Sequence, residues 1–242
     1  MSDSSILKRT IVKHDIPSNH LGGNRRVRVY LPPGYQEILS YPVVYCQDGE
    51  DFFNFGRIAT HANKLIIEDD MEPFIIVGVE VDKKVRTFEY SPDGERFESY
   101  TRAFAEEIVP AIEQLYPVRT DWTEVILAGD SLGGTVSLHL ALKYPEKFRQ
   151  VISLSGAYYP YSLELMALEQ ELSWLHLFMI VGLQETAYTT DTGTYDFVDL
   201  NRKAKQTLEA RGAHIQYAEH EGQHLWGFWQ KHIPDALRFF LD

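Results

Sequence analysis

The chain has 242 residues, 44% apolar and 24% charged, a balance typical of a folded globular protein and one that argues against disorder. Its formal charge of −12 argues against a nucleic-acid partner, because phosphate binding needs clustered lysine and arginine. A single cysteine, Cys46, excludes an intramolecular disulfide and a cysteine-rich zinc site.

The first residues, MSDSSILKRTIVKHDIPS, lack the unbroken apolar stretch of a signal peptide. No apolar run approaches the roughly 20 residues of a membrane helix, so a cytoplasmic protein with no membrane partner is expected. Strands are expected at 6–14 and 25–31, too close together for an intervening helix, and therefore paired as an antiparallel hairpin edge. Further strands are expected at 42–47, 74–81, 124–129, 150–154, 175–181 and 214–218. Helical periodicity predicts helices at 55–69, 99–116, 132–144, 195–211 and 226–241. This alternation implies an α/β fold: a mostly parallel eight-stranded sheet with helices on both faces and right-handed crossovers. No repeat or linker interrupts it, so residues 1–242 are read as one domain. Two irregular stretches, 82–98 and 183–194, follow carboxyl ends of predicted strands, where open α/β sheets place ligands.

The first chemical motif is Gly129-Asp130-Ser131-Leu132-Gly133, a G-x-S-x-G pattern. The apolar run EVILA precedes it and LGGTVSLHLALKY opens a helix after it, which makes the nucleophile elbow of a serine hydrolase. Gly129, Gly133 and Gly134 leave room for strand and helix to approach, and the Leu132 N–H at the helix start would face a developing oxyanion. A hydroxyl is a poor nucleophile near neutrality, so Ser131 needs a base, and the base an orienting acid. On this fold the acid and then the histidine should follow later strands. Glu185 follows the strand LHLFMIVG, with Asp191, Asp196 and Asp199 as alternatives downstream. His220 and His224 follow the last strand, and His224, just before the final helix, is the better base.

The same two histidines belong to His220-Glu221-Gly222-Gln223-His224, which spells the zinc motif H-E-x-x-H. That motif needs a helix, so that both imidazoles share one face. Here it follows a predicted strand directly and carries Gly222 at its centre, at about 1 kcal/mol in a helix. No metal and no cofactor are expected.

The blocks VRVYLPPGY, YPVVYCQDG, FAEEIVPAIEQLYPVRTD, LAGDSLGGTVSLHLALKYPEKF and EGQHLWGFWQKHIPDALRFFL resemble the esterase D-like branch of the α/β-hydrolases. Feruloyl esterases, S-formylglutathione hydrolases, siderophore esterases and mycolyltransferases belong to that branch. The resemblance runs from about residue 28 to the C-terminus. It implies Ser131 as nucleophile, His224 as general base and Glu185 as acid, although some relatives work as dyads. It also implies the backbone N–H of Glu50, after Asp48-Gly49, as second oxyanion donor. Residues 158–174, where α/β-hydrolases insert a cap, suffice for one short helix and no large cap domain.

The activity expected is a cofactor-free serine carboxylesterase acting through an acyl-enzyme on small or moderately bulky neutral esters. Siderophore, feruloyl-type or S-formylglutathione-type substrates are alternatives, and an inactive binding module is a reading of another class. The expected partner is a small-molecule ester, with a homodimer allowed for. Asp130, Tyr90, Tyr158 and Trp226 are candidate substrate contacts, with Tyr159 and Trp229 as further wall residues. Asp130, Asp48, Glu50 and Asp51 together would make an acidic mouth that disfavours anionic esters.

Overall fold

The computed structural model describes residues 9–242. Its strands are β1 (Thr10–Ser18), β2 (Gly23–Leu31), β3 (Val43–Cys46), β4 (Ile75–Val79), β5 (Val125–Asp130), β6 (Gln150–Leu154), β7 (His176–Gly182), β8 (Tyr188–Thr190), β9 (Gly193–Tyr195) and β10 (His214–His220). Eight of them form one sheet in the order β1-β2-β4-β3-β5-β6-β7-β10, while β8 and β9 pair separately as a short ribbon. The β1–β2 hairpin is antiparallel, β2 runs antiparallel to β4, and every later pairing in the sheet is parallel.

The central strands are buried on both faces, which is why VVYC and IIVGV read as unbroken apolar runs. Alternate residues go to opposite sides of the sheet. Val43 and Tyr45 join one apolar cluster, with Phe104, Val136 and Phe197; Val44 and Cys46 join the other, with Phe52, Leu65 and Leu237. Each such buried side chain contributes roughly 1.5–3 kcal/mol. The helices α1 (Gly49–Asn54), α2 (Ile58–Glu68) and α9 (Trp226–Leu241) thus cover the second face. The first face is covered by α4 (Phe97–Ala103), α5 (Val109–Leu115), α6 (Leu132–Lys143) and α8 (Phe197–Glu209). Among the described residues no helix is long and apolar enough to cross a membrane.

Several boundaries differ from the sequence expectation. The first strand lies at Thr10–Ser18 rather than 6–14, of which residues 6–8 fall outside the described residues. Pro17 ends no strand there because β1 is a sheet edge, where a missing N–H costs no ladder bond. The helix expected at 55–69 is α2, which starts three residues later; the short α1 lies wholly before the expected range, and Arg57, at φ 52°, separates the two. The helix expected at 99–116 is continuous but carries a π turn at Phe104–Ile108 just before Pro110, which relieves the proline's clash with the preceding turn. The irregular 82–98 stretch contains a short helix, α3 (Arg86–Tyr90), and 183–194 contains most of the β8–β9 ribbon. One helix, α7 (Pro160–Leu168), occupies the stretch where a cap would sit.

The turn from β5 into α6 is tightly packed. Ser131 adopts φ 52° and ψ −122°, at a cost of about 1–3 kcal/mol for a side-chain-bearing residue. Its N–H donates to the Leu154 carbonyl (2.9 Å) and its carbonyl accepts from the Ala157 N–H (3.0 Å), which hold the strained backbone from β6. A Cβ on Gly129 would fall 2.0 Å from the Gly133 carbonyl carbon, so only glycine permits this approach.

Candidate active site

Three side chains from three loops converge at the carboxyl end of the sheet. His224, on the loop between β10 and α9, places Nε2 2.9 Å from the Ser131 Oγ. Its Nδ1 lies 2.6 Å from Glu185 Oε2, on the turn after β7. Glu185 is 1% exposed. Its other oxygen, Oε1, accepts from the Ser155 hydroxyl (2.7 Å) and the Gly182 N–H (2.8 Å). The Trp229 indole N–H donates to Ser155 Oγ (2.8 Å), so a hydrogen-bonded chain runs from α9 through Ser155, Glu185 and His224 to Ser131. An Nδ1–H directed at the carboxylate leaves the Nε2 lone pair for the serine hydroxyl.

The imidazole is fixed by packing as well. Its ring centroid lies 4.1 Å from that of Phe197, 4.4 Å from Tyr188 and 4.8 Å from Trp229. None of the other candidate acids meets His224. Asp196 caps α8 by accepting from the Asp199 N–H, Asp199 pairs with Lys203, and Asp191 stands exposed on the cleft wall. His220 ends β10 and stacks on His232 at 4.5 Å. The H-E-x-x-H residues therefore span a strand end and a loop, and do not present two imidazoles on one helical face.

The cleft above Ser131 encloses about 420 Å³, with Lys83, Arg86, Asp130, Tyr188, Trp226 and Trp229 in its wall. Trp226 therefore lines the cleft. Tyr90 and Tyr158 do not. Both are fully buried: the Tyr90 hydroxyl accepts from the Asp48 N–H (3.2 Å), and Tyr158 donates to Ser153 Oγ (2.6 Å). They support the loops beneath the site instead of lining it, because each ring fills a gap in the core beside Tyr100 or Gly156.

The four carboxylates do not form a free acidic rim. Arg86 donates to both oxygens of Asp48 (2.7 Å each), Lys83 bridges Asp48 and Asp51, and Arg28 donates to Glu50 (2.7 Å). Burial disfavours a charged Asp48, yet Arg86 and then Lys83 hold its carboxyl below the ordinary range. Arg86 and Lys83 lie in and beside α3, within the stretch that the sequence marked only as irregular. Ser155, the acid's second partner, carries no local motif either, although its φ of 49° repeats the strain seen at Ser131.

Asp130 alone among the four lacks a cation of its own. Its Oδ1 is buried without a hydrogen-bond partner, and burial, with Asp48 next, pushes its carboxyl up to about 8. Between the unfolded value of 3.8 and about 8 the folded chain holds a proton that the unfolded chain has released. Stability therefore falls as pH rises through that window. Asp130→Asn, which removes the group, should melt progressively higher than the parent as pH rises from about 5 to about 9. Thermal melts with the same offset at both pH values would show that the carboxyl is not held neutral.

The Leu132 N–H opens α6 and the Glu50 N–H lies in the first turn of α1, where amides have no intrahelical acceptor. The clamp on the Asp48 side chain steadies the second of these turns, since the Asp48 backbone carbonyl, with φ at 51°, accepts from the Asp51 N–H (2.9 Å) and Phe52 N–H (3.1 Å).

Residues 18–240 match the family model described as "Putative esterase". Uncharacterized protein YjcH of Bacillus subtilis (strain 168) is 35% identical over 234 residues, which cover 96% of this chain and 98% of that one. Among solved structures, a ferulic acid esterase superposes with a TM-score of 0.82 at 19% identity, covering 97% of this chain and 98% of that one. The enterochelin esterase of Shigella flexneri superposes with a TM-score of 0.78 at 20% identity, and this chain, 94% covered, spans 58% of it.

Proposed function

The chain belongs to the Putative esterase family, and from that premise we propose that it is a serine carboxylesterase working through an acyl-enzyme. The observation that carries this reading is the 2.9 Å approach of His224 Nε2 to the Ser131 Oγ, with Glu185 behind the ring. As Ser131 attacks the ester carbonyl, His224 takes its proton, and Glu185 stabilises the imidazolium that forms. The carbonyl oxygen becomes an oxyanion between the N–H groups of Leu132 and Glu50, each such donor contributing on the order of 10²–10³ in rate. The carbon–oxygen bond to the alcohol then breaks, and His224 returns the proton to the leaving oxygen. Water, deprotonated by the same imidazole, attacks the acyl-enzyme and releases the acid and Ser131.

A neutral ester of small or moderate bulk fits the cleft best. The cations Lys83 and Arg86 are consumed by Asp48 and Asp51, so the wall offers no spare positive charge to a substrate anion. A fluorophosphonate probe tests the proposal against an inactive binding module. An activated serine displaces fluoride and forms a phosphorus–oxygen bond. One equivalent should add to Ser131, located by peptide mass, and abolish p-nitrophenyl acetate hydrolysis in step. Failure to label, or labelling at another residue, would refute the reading.

A further inference from the structure

A second cleft, of about 400 Å³, adjoins the first. Thr87 lines both. Where they meet, the Tyr159 hydroxyl donates to Thr190 Oγ1 at 3.5 Å, Tyr159 lining the second cleft and Thr190 the first. Nothing in the chemistry at Ser131 uses this space.

Its walls come from α3, the start of α7 and the β8–β9 ribbon, and they are aromatic. Tyr159 and Tyr195 pack ring to ring at 4.3 Å. Phe88 and Tyr161, 47% and 45% exposed, add further ring surface to its lining. Isolated exposed aromatics need no explanation, whereas several around one concavity mark a binding surface. Asp93 supplies a carboxylate at the same wall, one oxygen of which accepts from the Ser91 hydroxyl.

Resting on the esterase reading, we infer that this cleft is a subsite for the remote end of the ester, and that it takes a flat-faced ring bearing hydroxyl groups. Stacked aromatics match the apolar face of such a ring, Asp93 accepts from its hydroxyls, and the same carboxylate rejects an anionic ring. A phenol and a pyranose both present this chemistry. The cleft's continuity with the first through Thr87 orients the ligand: carbonyl at Ser131, ring beyond the Tyr159–Thr190 contact.

Three esters test it: ethyl acetate, 3-(4-hydroxyphenyl)propyl acetate and 2-acetoxyethyl β-D-glucoside. One ring ester should exceed ethyl acetate in kcat/KM, and which one identifies the ring. In the double variant Phe88→Ala/Tyr161→Ala that preference ratio should fall roughly tenfold, mainly through KM, as expected for two lost ring contacts. A ratio unchanged in the variant, or no preference in the parent, overturns the subsite. Should no ester be hydrolysed, or should hydrolysis survive loss of Ser131, the esterase reading fails instead. NMR titration with 3-(4-hydroxyphenyl)propanol and ethyl β-D-glucoside then decides the cleft independently. Shifts at Thr87 and Tyr195 that vanish in the double variant support it, and their absence overturns it.

Discussion

Ser131→Ala is expected to lower kcat for p-nitrophenyl acetate by about 10³–10⁶-fold, the range over which a nucleophile's removal leaves only oxyanion stabilisation and binding. Alanine keeps the Cβ, so the strained φ of 52° persists and the backbone bonds to Leu154 and Ala157 survive. The melting temperature should therefore move little, and circular dichroism should be unchanged. A variant that lost activity only by unfolding would say nothing about the hydroxyl, which is why both are measured. Full retained activity in a folded variant would remove Ser131 from the reaction.

Glu185→Gln is the second large effect, with kcat falling on the order of 10³–10⁴-fold through the tautomer of a histidine it does not itself replace. Two donors, Ser155 Oγ and the Gly182 N–H, converge on Oε1. A glutamine must turn its carbonyl to them, which leaves its NH₂ facing His224 Nδ1. That nitrogen must then accept, the ring proton moves to Nε2, and the base presents a hydrogen to the Ser131 hydroxyl where it should present a lone pair. Asp199→Asn, which touches only the Lys203 pair, provides the contrast. Near-parental activity in Glu185→Gln, measured on a folded sample, would assign the acid's role elsewhere or leave a dyad.

The legible parts of the site were those with local signatures. The β5–α6 elbow shows in sequence because a buried strand, small residues and a helix start must be contiguous to build it. His224 and Glu185 follow from chain order, since both lie immediately beyond strands whose apolar runs are unmistakable. The fate of the acidic residues was not legible, because the cations that neutralise Asp48 and Asp51 lie 35 and 38 residues from Asp48, in a segment without periodicity. Tyr90 and Tyr158 illustrate the same limit. An aromatic near a site in sequence can point up into the cleft or down into the core, and only the three-dimensional gap beneath decides. The glycine at position 56 likewise answers to Trp226, about 170 residues away, whose ring fills the space a side chain there would need.

The indole of Trp229 reaches Glu185 through a single hydroxyl, Ser155, and thereby ties α9 to the Ser131–His224–Glu185 cluster. Helices open locally well before central strands come apart, and Trp229 lies in the first turn of α9. On gentle heating, local opening of that first turn would withdraw the indole, free the Ser155 hydroxyl to rotate and slacken the imidazole. Turnover would then decline over a range of temperatures at which the central strands still hold their full complement of hydrogen bonds.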